Sequence, residues 1–325
     1  MKYTRRVSSV PRAGLSLLAV VVLLGVALPG VGVAEQHTAP TATALTTTAQ
    51  PLFMWTVRSP TATVHLLGSV HVGTADFYPL DAAIEHAFTT SDGLAVELDM
   101  TDPETLAQST RLFLQKAMYP ADESLADHVA PETYRALERY SAEYGVPLLV
   151  LSRMRPGAAA MYLVLAELQS RGYDPELGVD MHFLRRAKPD REVRALETVA
   201  QQIDAIFGGD AVIDELLLEE ALTRMAGLDS VMTEMLGAWQ QGDAVAMAGF
   251  IEQEMLGDER LRSFHDRILT DRNERMLGVI EEILAGERTW FVVIGAAHLV
   301  GESGLVSSLT AAGYTATQAR SAIQE

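Results

Sequence analysis

The clearest indication of the fold of this chain is the stretch TWFVVIGAAHLVG, from Thr289 to Gly301. It opens with the strongest strand pattern in the sequence and continues with a glycine, two small residues and a histidine. The stretch TVHLLGSVHVG, from Thr63 to Gly73, has the same design. A glycine at the end of a strand permits a sharp turn or a positive φ angle, so each histidine is predicted to stand at the edge of a sheet.

The two histidines of these stretches are His71 and His298, and Gly68 and Gly295 are the glycines that shape their turns. Ligands of open α/β sheets bind at the carboxyl ends of the strands, so we expect both histidines to face one crevice. The remaining histidines lack such a frame and are predicted to be ordinary tail, strand or helix residues: His37, His65, His86, His128, His182 and His265.

Glu97 ends the apolar strand pattern GLAVEL, where a carboxylate would be awkward in a core. It is predicted either to point into the crevice, with Asp99 on the same face of the strand, or to cap the next segment. Glu197 follows the pattern EVRAL in the same way. Two imidazoles with one or two carboxylates suit a divalent metal such as Zn²⁺, Mn²⁺ or Co²⁺. The same residues also suit metal-free acid/base chemistry, and the sequence leaves both open.

Arg272 and Asn273 lie at the start of the predicted helix that precedes the last predicted strand. They could supply a fixed charge for a substrate carboxylate or an oxyanion, or form a pair on a helix surface among other charged residues. The chain has no nucleophile-elbow serine, P-loop, GxGxxG or HExxH pattern. It therefore lacks the motifs that a serine hydrolase, a nucleotide-binding protein or a thermolysin-type protease of these kinds would use.

The pattern along the chain predicts an α/β fold: a central mixed β-sheet formed by N- and C-terminal segments, with a large helical insertion over about residues 102–285. Strands are predicted at Phe53–Arg58, Thr63–Leu67, Gly93–Leu98, Glu192–Leu196 and Thr289–Ile294. Helices are predicted at Leu80–Thr89, Pro131–Tyr144, Pro156–Arg171, Ile213–Met225 (capped by Asp210), Asp271–Leu284 and Leu305–Ala312 (ended by Gly313).

Residues 1–34 have the layout of a secretory signal peptide, with a basic start, an uncharged apolar run and small residues before a cleavage position after Ala34. A retained membrane anchor is the alternative, since about 20 apolar residues can span a bilayer. Residues 35–50 are rich in Thr and Ala and predict a flexible linker, and residues 51–320 form the α/β domain. The protein is therefore expected to be exported, either periplasmic or secreted, with membrane contact only through an uncleaved leader.

Without the four basic residues of the leader, 21 basic residues face 43 acidic ones, a net charge of −22. This charge argues against nucleic acid as a partner, because phosphate binding needs a basic face. The absence of cysteine excludes disulfides, a thiolate nucleophile and cysteine metal ligands. The oligomeric state is left open.

Taken together and in order, the motifs resemble the TraB/GumN family, which includes the animal Tiki proteins. They cover nearly all of residues 51–314: LFMWTVRSPTATVHLLGSVHVG, YPL, AVELD, LGVD, VRALET with two trailing glutamines, RNERM and FVVIGAAHLVGESGLVSSLTAAGY.

The resemblance implies a fold related to the erythromycin-esterase and ChaN-like group, with an active site of His71, Glu97 and His298 and with Arg272 and Asn273 nearby. Tiki-like members are metal-dependent proteases that act outside the cell, whereas some bacterial members resemble regulators of peptide-pheromone signalling.

We therefore expect an exported metal-dependent hydrolase, most simply a peptidase with a peptide or protein substrate. Its metal would be held by His71, His298 and Glu97, with Glu97 serving as ligand or general base. The alternatives are a non-catalytic binder of a peptide, haem or a metal in the same crevice, and a purely structural envelope protein.

Overall fold

The computed structural model describes residues 49–187, 191–255 and 258–322. The predicted leader, and the predicted linker except its last two residues, lie outside this range. Six strands form one sheet: β1 (Pro51–Arg58), β2 (Thr63–Ser69), β3 (Gly93–Val96), β4 (Glu192–Ala195), β5 (Thr289–Gly295) and β6 (Thr315–Arg320).

The helices lie between these strands, mostly in the long segment that separates β3 from β5. They are α1 (Ala82–Thr90), α2 (Pro103–Ala117), α3 (Pro131–Tyr144), α4 (Leu148–Leu151), α5 (Pro156–Ser170), α6 (Val179–Ala187), α7 (Val199–Phe207), α8 (Ala211–Arg224), α9 (Leu228–Gln240), α10 (Ala244–Met255), α11 (Arg262–His265), α12 (Asp271–Leu284) and α13 (Leu305–Ala311). A π-helical segment, Asp266–Thr270, joins α11 to α12.

The sheet has the order β4-β3-β5-β2-β1-β6 and confirms the predicted mixed sheet. The strands β4, β3, β5 and β2 are parallel, whereas β1 runs antiparallel to both β2 and β6. The C-terminal β5 lies between β2 and β3, as expected for a sheet built from both ends of the chain. It is buried from Trp290 onward, which explains why its sequence is an unbroken apolar run.

The segment between β3 and β5 confirms the predicted helical insertion. Aspartate side chains cap the N-termini of two of its helices. The Asp102 side chain accepts the Thr105 N–H of α2, and the Asp210 side chain accepts the Ile213 N–H of α8, as predicted. β4 returns the insertion to the sheet beside β3. Within the described residues, no helix is both long and apolar enough to cross a bilayer.

Strand β6 was not predicted. Its sequence TATQAR contains no large apolar residue, and the strand lies at the sheet's edge beside β1. The Gln318 side chain ties it inward by donating to the carbonyls of Leu52 at 3.0 Å and Gly242 at 2.6 Å. Long-range pairing, rather than intrinsic strand preference, therefore places this segment in the sheet.

Candidate functional site

The parallel register brings the two histidine turns together at the carboxyl edge of the sheet. Residue for residue, Thr63–Ser69 pairs with Thr289–Gly295, so that Gly68 lies opposite Ile294. On the other side of β5, Val96 lies opposite Val293 and also pairs with Ala195 of β4. The side chains that follow these four strand ends consequently share one edge, as the sequence predicted.

On the first turn, the His71 side chain is 11% exposed. Its Nδ1 atom lies 3.1 Å from Asp180 Oδ1, and its Nε2 atom lies 3.7 Å from Glu97 Oε1. Burial alone would lower the pKa of His71, but the negative charges of Asp180 and Glu97 outweigh it and raise the pKa. The buried Nε2 atom has no hydrogen-bond partner in the described part of the chain.

On the second turn, His298 is fully buried and its Nδ1 atom lies 2.6 Å from Asn273 Oδ1. The Asn273 amide is oriented by its own Nδ2 group, which donates to the Ser303 carbonyl at 2.8 Å. Since the amide oxygen can only accept, Nδ1 of His298 carries the proton and Nε2 carries a lone pair. That Nε2 atom is buried and meets no hydrogen-bond donor among the described residues. Burial, with the nearby charges of Arg272 and His71, holds the pKa of His298 well below its usual value, so the ring stays neutral.

Glu97 lies between the two turns and is 6% exposed. Its Oε1 atom accepts the Gly295 N–H at 2.7 Å, and its Oε2 atom accepts from Arg272 Nη2 at 2.5 Å. Burial raises the pKa of Glu97 even though Arg272 and His71 oppose the shift. A carboxylate with a raised pKa in an enclosed site has the property expected of a general base.

A second buried carboxylate shares the same guanidinium. Glu197 receives hydrogen bonds from Arg272 Nε at 3.2 Å and from Nη2 at 2.6 Å, and Gln202 Nε2 donates to it at 3.1 Å. Arg272 is 1% exposed, so it does not form the helix-surface pair that was one of the two expectations. Burial alone would lower its pKa, but Glu197 and Glu97 raise it, and the guanidinium stays charged.

Neither Gly68 nor Gly295 has a positive φ angle. Gly295 has a φ of −48°, and Gly68 is not among the positive-φ glycines of the described residues. A Cβ atom on Gly68 would lie 2.5 Å from the Phe53 ring and 3.1 Å from the Ala296 Cα, so this turn has no room for a side chain. Asp99, which was expected to share the face of Glu97, accepts the N–H and the hydroxyl of Thr101 through its Oδ1 atom.

Asp180 is a site residue that the sequence reasoning did not single out. It is the second residue of α6 and lies near the first turn because the Val179 N–H donates to the Val70 carbonyl at 2.9 Å. A signal was present in the motif LGVD, residues 177–180, but no local pattern connects this motif to a histidine so distant in the chain. The contact depends on the tertiary fold.

The donor set at this edge fits a divalent cation in part. The Nε2 atoms of both imidazoles are buried and have no hydrogen-bond partner in the described chain, and an unprotonated imidazole nitrogen is a donor that Zn²⁺, Mn²⁺ and Co²⁺ accept. Glu97 offers the carboxylate beside His71 Nε2. No group of three His, Asp or Glu side chains within the described ranges has the spacing of a complete metal site. The described side chains at this edge thus offer donor atoms for a cation without forming a complete metal-binding group.

Comparisons with known proteins indicate one protein family. The model of the TraB/PrgY/gumN family matches residues 53–318. The chain is 27% identical over 250 residues to the uncharacterized protein YbaP of Escherichia coli (strain K12), covering 75% of this chain and 87% of that protein.

Two animal proteins are similar at comparable identity. Metalloprotease TIKI1 of Xenopus tropicalis is 25% identical over 319 residues, and metalloprotease TIKI2 of Danio rerio is 24% identical over 318 residues. Each match covers 81% of this chain and 60% of the animal protein, so the chain spans less than two thirds of their length. No solved structure matches the chain significantly.

Proposed function

Because this chain belongs to the TraB/PrgY/gumN family, we propose that it is an exported metal-dependent hydrolase that cleaves peptide bonds in a peptide or protein substrate. One observation carries the proposal: the buried Nε2 atoms of His71 and His298, on the two matched turns, have no hydrogen-bond partner among the described residues, and that of His71 lies 3.7 Å from the buried Glu97 carboxylate. Leaving buried nitrogens without partners is unfavourable, and their position at one sheet edge next to a carboxylate supports a ligand site there. Similarity to proteins named metalloproteases supports the same class of reaction.

His71 and His298 would hold the cation through Nε2, with Glu97 as a further ligand or as general base. A bound Zn²⁺, Mn²⁺ or Co²⁺ ion would polarise the substrate carbonyl and lower the pKa of a water molecule. Asn273 keeps the proton of His298 on Nδ1, which leaves Nε2 available as a donor.

Glu97 accepts the proton of the attacking water in this proposal, because burial raises its pKa. The water oxygen then bonds to the carbonyl carbon, the C–N bond breaks, and the proton passes to the departing amine. Arg272 is held by Glu197, and it fixes the direction of Glu97 through the 2.5 Å hydrogen bond. It is a positioning residue here.

We propose that the chain acts outside the cytoplasm, in the periplasm or as a secreted protein. This rests on residues 1–34, whose basic start, apolar run and small residues have the order of a cleavable signal peptide. An Edman or mass-spectrometric analysis of the protein recovered from cells tests it, and an N-terminus at Glu35 is expected.

The first test is the metal content of the mature chain by inductively coupled plasma mass spectrometry. We expect stoichiometric metal in the wild type, and its loss in both His71→Ala and His298→Ala. The exposed His86 provides a matched control, so His86→Ala should retain the metal. Absence of bound metal after incubation with Zn²⁺, Mn²⁺ and Co²⁺ would contradict the metal-dependent form of the proposal.

The second test is cleavage of a peptide library by the metal-loaded protein, read by mass spectrometry. Glu97→Gln should abolish turnover, because the amide cannot take up the proton of water. Tight peptide or haem binding by a metal-loaded wild type that cleaves nothing would replace the hydrolase with the binding function.

A further inference from the structure

Each of the two histidines has a polar side chain next to its Nδ1 atom, although the contacts differ in kind. Asn273 Oδ1 is hydrogen-bonded to Nδ1 of His298 at 2.6 Å, and the Asp180 carboxylate lies 3.1 Å from Nδ1 of His71 as an ion-pair contact. Each ring therefore keeps Nε2 free and buried. Asp180 is placed beside Nδ1 of His71 as Asn273 is placed beside Nδ1 of His298.

The position of Asp180 is enforced by its backbone. Two reciprocal hydrogen bonds join Gly73 and Asp174, with N···O distances of 3.0 and 2.8 Å, and so fasten the start of this segment to the first turn. Gly178 then packs on that turn so closely that a Cβ atom would lie 2.7 Å from the His71 carbonyl oxygen. These contacts hold the segment against the turn that carries His71.

The Asp180 carboxylate has no other evident task. Its Oδ1 atom is shielded from solvent and makes no hydrogen bond of good geometry in the described chain, and the nearest cationic group is His71, whose Nδ1 atom lies 3.1 Å away. A shielded carboxylate oxygen is stabilised by an opposite charge or a donor, and the imidazole Nδ1–H is the group placed to supply it.

We propose that Asp180 is the positioning residue of His71: it keeps the ring proton on Nδ1 and so presents the Nε2 lone pair to the shared edge of the sheet. The inference rests on the proposed function for its consequence, which is metal affinity. Partners of this kind fix the tautomer and ring orientation of metal-binding histidines.

Calorimetric titration of the metal-free mature protein with Co²⁺ tests the consequence. Loss of such a partner typically weakens metal binding about 10–100-fold, and we expect this for Asp180→Ala. Asp180→Asn should lose less, because an amide oxygen can accept the Nδ1–H as Asn273 does for His298. Glu176→Gln removes one charge from the exposed neighbouring segment and should bind Co²⁺ like the wild type.

The tautomer itself can be read without metal from the ¹⁵N signals of histidine-labelled protein at a pH where the ring is neutral. The His71 signal is the one missing in His71→Gln. We expect a protonated Nδ1 and a bare Nε2 in the wild type and in Asp180→Asn, and a mixture of tautomers in Asp180→Ala.

The two measurements separate the two claims. A wild type that shows the expected tautomer but binds no metal would support the positioning role and remove the metal from the proposed function. A wild type with its proton on Nε2, or an Asp180→Ala protein with wild-type tautomer and Co²⁺ affinity, would overturn the role of Asp180 whatever the protein hydrolyses. Circular dichroism of each variant confirms that it is folded.

Discussion

Arg272 is the residue on which the electrostatics of the site depend. It is a single buried cation between two buried carboxylates, Glu97 and Glu197, whose negative charges it offsets. Taking three charges out of water is costly, and such a group is a weak source of stability compared with apolar packing. Its presence is better explained by the orientation that it imposes on Glu97.

Substituting Arg272 alone should be severe. Arg272→Met leaves two carboxylates close together without a counter-charge, and we expect a loss of about 3–5 kcal/mol in the free energy of unfolding. Urea denaturation at neutral pH measures it. Arg262→Met, which breaks an exposed pair with Glu259, should leave the midpoint unchanged.

A triple variant completes this test. Adding Glu97→Gln and Glu197→Gln to Arg272→Met removes the unpaired charges, so most of the lost stability should return. A triple variant as unstable as Arg272→Met would mean that packing around the guanidinium, and not charge pairing, sets its contribution.

The sequence predicted the residues of the site that local pattern marks and missed those that only the fold brings in. His71 and His298 stand in strand-glycine-x-x-histidine contexts, and Glu97 ends an apolar strand, so each is visible within a dozen residues. Asp180 and Gln202 reach the site from helices of the insertion, and no short-range spacing indicates which strand ends they meet.

At the scale of elements, the contact between the LGVD segment and the first turn depends on the lack of a side chain at Gly178. Gly178→Ala would force a Cβ atom against the His71 carbonyl and Asp180 Oδ1, at 2.7 and 2.9 Å. The segment must then move, and we expect weaker Co²⁺ binding together with a lower melting temperature.

Gly278 of α12 provides the comparison, because a Cβ atom there meets nothing within 4 Å. Gly278→Ala in this exposed part of the helix should raise stability by roughly 0.5–1 kcal/mol and leave Co²⁺ affinity unchanged. Equal effects of the two substitutions on metal affinity would show that the close approach at Gly178 is not needed.

The end of α11 carries a histidine with a different consequence. His265 is 1% exposed, and neither ring nitrogen has a hydrogen-bond partner in the described ranges. Burial lowers its pKa to about 4, with Asp258 opposing and Arg262 adding to the shift. The native ring is therefore neutral at pH values where the unfolded chain has begun to bind a proton.

This pKa shift gives a pH dependence with a definite sign. Because the folded pKa lies below the unfolded one, the unfolded state binds more protons between pH 6.5 and 4, and stability falls as the pH decreases through that window. The effect of one such group is roughly 3 kcal/mol over the window. Urea denaturation at a series of pH values should show a shallower acid loss for His265→Leu than for the wild type, and parallel curves would refute this assignment.

In the whole molecule, strands from both ends of the chain lie side by side in one sheet, and the helical insertion connects β3 to β5. Sequence patterns predicted five of the six strands in the described residues, and four of these, β1, β2, β3 and β5, are mostly buried and rich in apolar residues. The patterns could not reveal β6, whose residues owe their conformation to β1, a strand near the other end of the chain.

Removing β6 should therefore destabilise the entire domain. A chain ending at Tyr314 loses the pairing along β1 and both Gln318 hydrogen bonds, and it leaves β1, with its buried Trp55 and Val57, as the edge of the sheet. Cross-strand pairs and hydrogen bonds of this kind suggest a loss of roughly 2–4 kcal/mol. That corresponds to a melting temperature lower by roughly 5–15 °C in calorimetry. A chain ending at Ala322 retains the strand and should melt like the full mature protein; if the two truncated chains melted alike, β6 would contribute nothing to the stability of the fold.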